Sequence, residues 1–174
     1  VVEYIPEHLV QKANYIVVEN SLKALQQTAI AYRKQFDFPF VGITGSNGKT
    51  IVKEWLNFLL SAKHLIVRNP KSYNSQVGVP LSILGIEGNY DLGIFEAGIS
   101  LPNEMLHLES IIQPKYGILT TVGSAHDEGF PNREAKINDK ITLFKNCSDI
   151  FLEKNDKIET LLPKNSNKHT WSFS

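Results

Sequence analysis

Phe40-Val41-Gly42-Ile43-Thr44-Gly45-Ser46-Asn47-Gly48-Lys49-Thr50 joins an apolar run to a glycine-rich turn and a Lys-Thr pair. Phe40, Val41 and Ile43 suit a buried strand. Beyond Lys49, the residues Val52, Trp55, Leu56, Leu59 and Leu60 fall at helical spacing, which predicts a helix. Strand, glycine turn and helix in this order form a phosphate cradle. Backbone N–H groups point into the turn, the helix start favours anions, and the lysine closes on the outer phosphates. The spacing departs from the common phosphate loop, which has four residues between its first glycine and the Gly-Lys pair. Gly42 lies one residue too far back and Gly45 two too near, so only Gly-x-x-Gly-Lys-Thr fits.

The chain has 174 residues, 42% hydrophobic and 21% charged, enough for one well-buried domain. Its formal net charge is zero, which argues against a nucleic-acid-binding surface. The single cysteine, Cys147, excludes an intramolecular disulfide and a cysteine metal cluster, and fits the cytoplasm. No apolar run is long enough to insert in a membrane, and the start lacks a signal-peptide pattern.

Outward from the loop, the pattern alternates. Tyr15–Val18 reads as a short strand; Asn20 or Ser21 caps a helix whose apolar stripe is Leu22, Leu25, Ala29 and Tyr32; Phe36–Pro39 is a linker. Further strands are expected at Leu65–Val67, Leu92–Glu96, Tyr116–Thr121 and Asp149–Leu152, with helices at Asn103–Ile112 and Arg133–Phe144. Such alternation predicts an α/β fold: a mainly parallel sheet with helices on both faces. Ligands of such sheets sit beyond the carboxyl ends of the strands, where Gly45–Thr50, Glu96 and Gly123-Ser124-Ala125-His126 fall.

Lys49 is suited to the β- and γ-phosphates of a nucleotide, and the Thr50 hydroxyl to Mg²⁺. Glu96 ends the apolar run Leu92–Phe95 and needs a partner there, either a metal–phosphate group or a helix start or lysine. His126 is either a ligand at the same sheet edge or a structural histidine. Lys140, among Ile137, Ile141 and Phe144, reads by itself as a snorkelling surface lysine. His8, His64, His107 and His169 read as surface residues with nothing clustered about them.

Taken together, these residues resemble a family. Thr44–Thr50 resembles the TGxNGKT phosphate loop of the Mur ligases, which accounts for the unusual spacing. Ser72-Tyr73-Asn74-Ser75-Gln76-Val77-Gly78-Val79-Pro80-Leu81 is similar to the asparagine-containing segment ending in GVPL. Glu96-Ala97-Gly98 is similar to the family's E-x-G, Pro102-Asn103-Glu104-Met105 to P-G-E-[IM], and Thr120-Thr121-Val122-Gly123-Ser124-Ala125-His126 to T-N-[IV]-G-x-A-H. Within the family, GVPL, Ala125-His126 and Glu128-Gly129-Phe130 resemble the branch that adds D-Ala-D-Ala to UDP-N-acetylmuramoyl-tripeptide. Gly48-Lys49-Thr50-Ile51-Val52-Lys53-Glu54-Trp55 and Pro70–Gln76 resemble a version of that branch fused to an alanine racemase. Ile51, Asn103 and Thr121 stand where the family commonly has threonine, glycine and asparagine.

The resemblance implies an ATP- and Mg²⁺-dependent ligase that works through an acyl phosphate. It implies that Gly45, Ser46, Asn47, Gly48, Lys49 and Thr50 bind nucleotide, that Thr50 and Glu96 hold a first Mg²⁺, and that His126 serves a second. By the same resemblance, Lys140 is carbamylated and becomes an anionic metal ligand, and Asn74 and Ser75 line the substrate side. Residues 1–38 are then the tail of a UDP-sugar-binding domain with its linker, and 39–174 an incomplete central ATP-binding domain. The C-terminal domain is expected to be absent, the chain alone inactive in ligation, and oligomers to form through exposed sheet edges. The competing expectations are a folylpolyglutamate synthase-type ligase and a non-catalytic nucleotide-binding module.

Overall fold

The computed structural model describes residues 1–10, 13–123 and 129–172. Its elements run α1 (Ser21–Arg33), β1 (Phe40–Thr44), α2 (Lys49–Leu60), β2 (Ile66–Arg68), α3 (Gly78–Leu84), β3 (Leu92–Glu96), α4 (Glu104–Ile112), β4 (Tyr116–Leu119), α5 (Arg133–Ile141), β5 (Asp149–Glu153), α6 (Asp156–Leu161) and β6 (Asn167–Trp171). The six strands form one sheet in the order β2-β3-β1-β4-β5-β6, and every neighbouring pair is parallel. The α/β expectation holds, and the sheet is wholly parallel.

Strand β1 is central and buried at all five positions, as a strand covered on both faces must be. Its side chains alternate between two apolar clusters. Phe40 joins Phe95, Ile83, Met105, Leu108 and Ile111 under α1, α3 and α4. Val41 and Ile43 join Ile94, Val52 and Leu56 under α2. Each fully buried Phe or Ile contributes ~1.5–3 kcal/mol, which makes β1 a firmly anchored support for the loop that follows it. From β1 the chain passes to β2 and β3 on one side and to β4 on the other, so the strand order reverses beside the carboxyl end of β1. That is where parallel sheets open a ligand crevice.

Helix α1 is capped by Asn20, whose side chain accepts from the Lys23 N–H. It packs on α3 and α4. Its Arg33 is buried, donates from Nε to Ile112 O at 2.9 Å and from Nη1 to Phe36 O at 2.8 Å, and lies 3.7 Å over the Phe40 ring. Burial holds this guanidinium down at about 10.

Several expectations need correction. Tyr15–Val18 is no sheet strand; Val17 forms an isolated parallel bridge with Val2. The apolar residues of α2 do not share one surface. Val52, Leu56 and Leu60 face the sheet, whereas Trp55 and Leu59 are each 68% exposed, because a 100° step carries them past the contact. The last helix ends at Ile141 and continues as a 3₁₀ turn over Thr142–Phe144. α3, α6 and β6 were not foreseen. No helix among the described residues is long and apolar enough to cross a membrane.

Candidate active site

The Gly45–Gly48 turn connects the buried end of β1 to the first turn of α2. Gly45 adopts φ +146°, and a Cβ there would lie 1.9 Å from Thr120 Oγ1. Gly48 is the N-cap of α2 at φ +81° and offers no side-chain acceptor. The free N–H groups of the first helical turn therefore face outward, at the positive end of the helix dipole. The turn is tied to β4: Ser46 N–H donates to Thr121 O at 2.8 Å, Ser46 Oγ lies 3.0 Å from Gly123 O, and Thr120 Oγ1 lies 2.6 Å from Asn47 O. Asn47 itself is exposed at the tip.

Lysines converge beneath this turn. Lys49 Nζ and Lys140 Nζ both donate to Gly45 O, at 3.0 and 3.2 Å. Lys140 is 3% exposed, so the surface-lysine reading of this residue is overturned. The helix α5 places it inward, one turn after Lys136, which is 1% exposed. Burial, with repulsion from Lys49 and Lys136 and against attraction from Asp139, holds the Lys140 amine down at about 8. Lys49 is lowered by burial, with Glu96 opposing and Lys136 adding to the shift.

Glu96 is fully buried at the carboxyl end of β3, paired with Ile43 of β1. Asn74 Nδ2 donates to its Oε1 at 3.3 Å, and its Oε2 has no hydrogen-bond partner among the described residues. The Thr50 hydroxyl is 3.5 Å from the Ser72 hydroxyl. These are hard oxygen donors, and a buried carboxylate oxygen without a protein partner suits a hard cation. No group of three or more His, Cys, Asp or Glu able to hold a metal occurs among the described residues. Mg²⁺ fits this set, because it keeps water and takes phosphate oxygens with only one or two protein ligands.

The other expected residues divide. Asn74 is at the site. Ser75 is next to it, but its hydroxyl accepts from Gly78 N–H at the start of α3. His126 lies outside the described residues. Asn103, standing where the resemblance has glycine, adopts φ +68°, a region that asparagine tolerates. Reading the sequence missed Thr120, Asn69 and Lys136. A hydroxyl under a tight turn and a buried amide beside a strand end leave no periodic signal. Lys136 was legible in principle, four residues before Lys140 on the same helix face. Beyond β4 and β5, on the edge that carries the turn, a hollow of about 340 Å³ is lined by Thr120, Val122, Arg133, Leu152, Glu153 and Asn155.

Comparison with known proteins agrees with this fold. The model of the Mur ligase middle domain matches residues 43–174. The chain belongs to the Mur ligase middle-domain family. It is 36% identical over 144 residues to the UDP-N-acetylmuramoyl-tripeptide–D-alanyl-D-alanine ligase of Borreliella burgdorferi, covering 82% of this chain and 31% of that protein. The MurF ligase from Thermotoga maritima, solved in complex with ADP, superimposes with a TM-score of 0.85 at 30% identity, covering 94% of this chain and 39% of that one. Folylpolyglutamate synthase from Mycobacterium tuberculosis, complexed with ADP, reaches a TM-score of 0.67 at 12% identity over 94% of this chain and 49% of its own, a likeness of fold alone. This Mur ligase middle domain thus spans about a third of the length of the curated relatives it matches.

Proposed function

We propose that this chain is the ATP- and Mg²⁺-binding part of a cytoplasmic ligase of peptidoglycan precursor synthesis. The reaction joins D-Ala-D-Ala to UDP-N-acetylmuramoyl-tripeptide. The observation that carries this reading is Glu96, a buried carboxylate with one unpartnered oxygen, set at a strand end beside a phosphate-loop lysine. The substrates are inferred from relatives at 36% identity that are ligases of this kind.

In this reading an oxygen of the tripeptide's terminal carboxylate bonds to the γ-phosphorus of ATP as the bond to ADP breaks, giving an acyl phosphate and ADP. The amine of D-Ala-D-Ala attacks the carbonyl carbon of the acyl phosphate, loses a proton, and phosphate departs to leave the amide. Bound Mg²⁺ supplies positive charge against the transferred phosphoryl oxygens. Lys49 and the N–H groups of the α2 start hold the phosphates, and Thr50 and Glu96 hold the first metal. His126 serves a second. The nucleoside lies in the hollow beyond β4 and β5, which Thr120 links to the phosphate turn. Asn74, bonded to Glu96, lines the substrate side of the nucleotide site.

Lys140 is read as carbamylated. With its amine held at about 8, about half is neutral near pH 8. The neutral amine bonds to the carbon of CO₂ and releases a proton, giving an anion that relieves the crowding of Lys49, Lys136 and Lys140. Residues 1–38 belong in this reading to the end of a UDP-sugar-binding domain and its linker, and 39–174 to the central domain. The alanine racemase fusion rests on the resemblance of Gly48–Trp55 and Pro70–Gln76.

Calorimetric titration of Mg·ATP into this chain and into Lys49→Ala tests the nucleotide site. Binding is expected in the unaltered chain and at least about tenfold weaker in the variant, a loss of about 1.4 kcal/mol. Equal binding by both overturns the assignment of Lys49.

A further inference from the structure

Lys53 has no part in the chemistry above, yet it is fully buried one helical turn beyond Lys49 on α2. A buried ammonium needs acceptors for its three donors. Its Nζ donates to Asn69 O at 2.8 Å and makes a second, closer contact with Lys71 O; Glu54 Oε1 is 3.4 Å away. Both carbonyls belong to the connection between β2 and α3. That connection turns sharply, with Lys71 at φ +48°, a left-handed conformation unusual for a lysine.

From these carbonyls a continuous set of hydrogen bonds reaches the Glu96 carboxylate. Sheet pairing of β2 with β3 ends at Arg68–Ile94. Beyond it the Asn69 side chain takes over as a substitute strand. Its Oδ1 accepts from Glu96 N–H at 3.1 Å, and its Nδ2 donates to Glu96 O at 3.0 Å and to Tyr73 O at 2.8 Å. Asn74 O then accepts from Gly98 N–H at 2.8 Å, and Asn74 Nδ2 meets Glu96 Oε1. On the same connection, Ser72 stands opposite the Thr50 hydroxyl. The residues facing the metal position from this side thus hang on one loop, and Lys53 fixes that loop to α2, the helix that carries Lys49 and Thr50.

We propose that Lys53 is a positioning residue for the metal side of the site: its ammonium locks the 69–74 loop to α2, so that Asn74 orients Glu96 and Ser72 faces Thr50. An apolar residue of equal length would fill the space but leave the carbonyls of Asn69 and Lys71 without their donor. The proposal rests on reading the site as one for a Mg²⁺-nucleotide, and two independent readouts keep the two apart.

The test is Lys53→Met, with Lys53→Gln as a smaller polar partner. In the ligand-free chain, amide exchange followed by NMR is expected to quicken at least about tenfold at Glu96 and Gly98, whose N–H groups bond into the loop. Ala97 N–H, bonded instead to Ile43 O, is expected to hold its protection. In ADP titrations, the gain in affinity brought by Mg²⁺ is expected to fall at least about tenfold, while affinity in EDTA stays as in the unaltered chain. A merely structural lysine predicts a lower unfolding midpoint with exchange and the Mg²⁺ gain unmoved, and that result overturns the proposal. Loss of fold in both variants overturns it too, since a global role then suffices. If the unaltered chain binds no ADP, the nucleotide reading fails, and the exchange pattern still decides the role of Lys53.

Discussion

Lys140 shows how one side chain changes meaning with its surroundings. Its neighbours Ile137, Ile141 and Phe144 gave an amphipathic pattern in which a lysine is expected to reach solvent. What decides its position is remote in sequence: the carbonyl of Gly45 and the cations Lys49 and Lys136. Burial holds the amine at about 8 in the folded chain against 10.5 for an ordinary lysine. Between those two values the unfolded chain binds more protons than the folded one. Stability therefore rises with pH across this window, and the cost of burying the charge is present in full below about pH 8. Lys140→Met removes the titrating group. In CO₂-free buffer, urea midpoints of the unaltered chain are expected to rise from pH 8 to 10.5 relative to those of the variant, by an amount on the order of 1–3 kcal/mol. A constant difference between the two chains across that range speaks against a buried, depressed amine. The same substitution is expected to weaken Mg²⁺-dependent nucleotide binding, which separates the functional loss from a gain in stability near pH 7.

At the scale of elements, the β5–β6 pair carries an electrostatic fastening that the sequence did not disclose. Asp149 Oδ1 accepts from Asn167 Nδ2 at 3.1 Å and lies 2.9 Å from His169 Nε2, while its Oδ2 accepts from Ser148 Oγ at 2.8 Å; the His169 ring stacks on Phe151 with centroids 4.6 Å apart. The expectation that His169 has nothing clustered about it is therefore corrected. Bonds from His169, Ser148 and Asn167 hold the Asp149 carboxyl down at about 2. A carboxyl lowered in the folded state stabilises it above the ordinary carboxylate range, and this contribution is lost as pH falls through about 2. Asp149→Ala is expected to quicken amide exchange along Asn167–Trp171 while β1 and β3 keep their protection, and to remove part of the acid sensitivity between about pH 4 and 2. Unchanged exchange in β6 sinks this account. The pattern of legible elements has a physical reason. β1, β3, β4 and β5 were readable because buried parallel strands are short apolar runs. β6, Asn167–Trp171, is exposed at every position and polar at four, so nothing in its composition marks a strand; its pairing with β5 makes it one. α3 begins with Gly78-Val79-Pro80, a poor helix start by propensity, and forms because Val79 and Ile83 are fully buried. The site was legible where chemistry follows a strand end, as at Lys49, Thr50 and Glu96. It was not where side chains bond backbone across the fold, as at Thr120, Asn69 and Lys53.

For the whole molecule, the direction of the crossovers decides which surface is left bare. Right-handed connections put α3, α4, α5 and α6 on one face, because each carries the chain the same way along the sheet. Only the step from β1 to β2 runs the other way, so α2 lies on the opposite face. Beside α2, over the sheet from β3 to β5, that face holds an apolar hollow of about 330 Å³, lined by Val41, Leu56, Leu92, Tyr116, Ile118 and Phe151 among others. Beside it α2 turns out Trp55, Phe58 and Leu59, at 68%, 78% and 68% exposure. Sheet edges were the expected route to oligomers, and β6 supplies an edge that pairs only with β5 among the described residues. The apolar face is expected to be the stronger driver, since exposed apolar surface of this kind tends to mark an interaction site. The chain is accordingly expected to self-associate reversibly with rising concentration in sedimentation velocity. Phe58→Glu places a charge in the patch at a position that is 78% exposed, so folding and nucleotide binding are expected to persist. Association is expected to weaken at least about tenfold, or about 1.4 kcal/mol. Association unmoved by Phe58→Glu assigns it to the β6 edge, and a chain that stays monomeric at high concentration removes both routes.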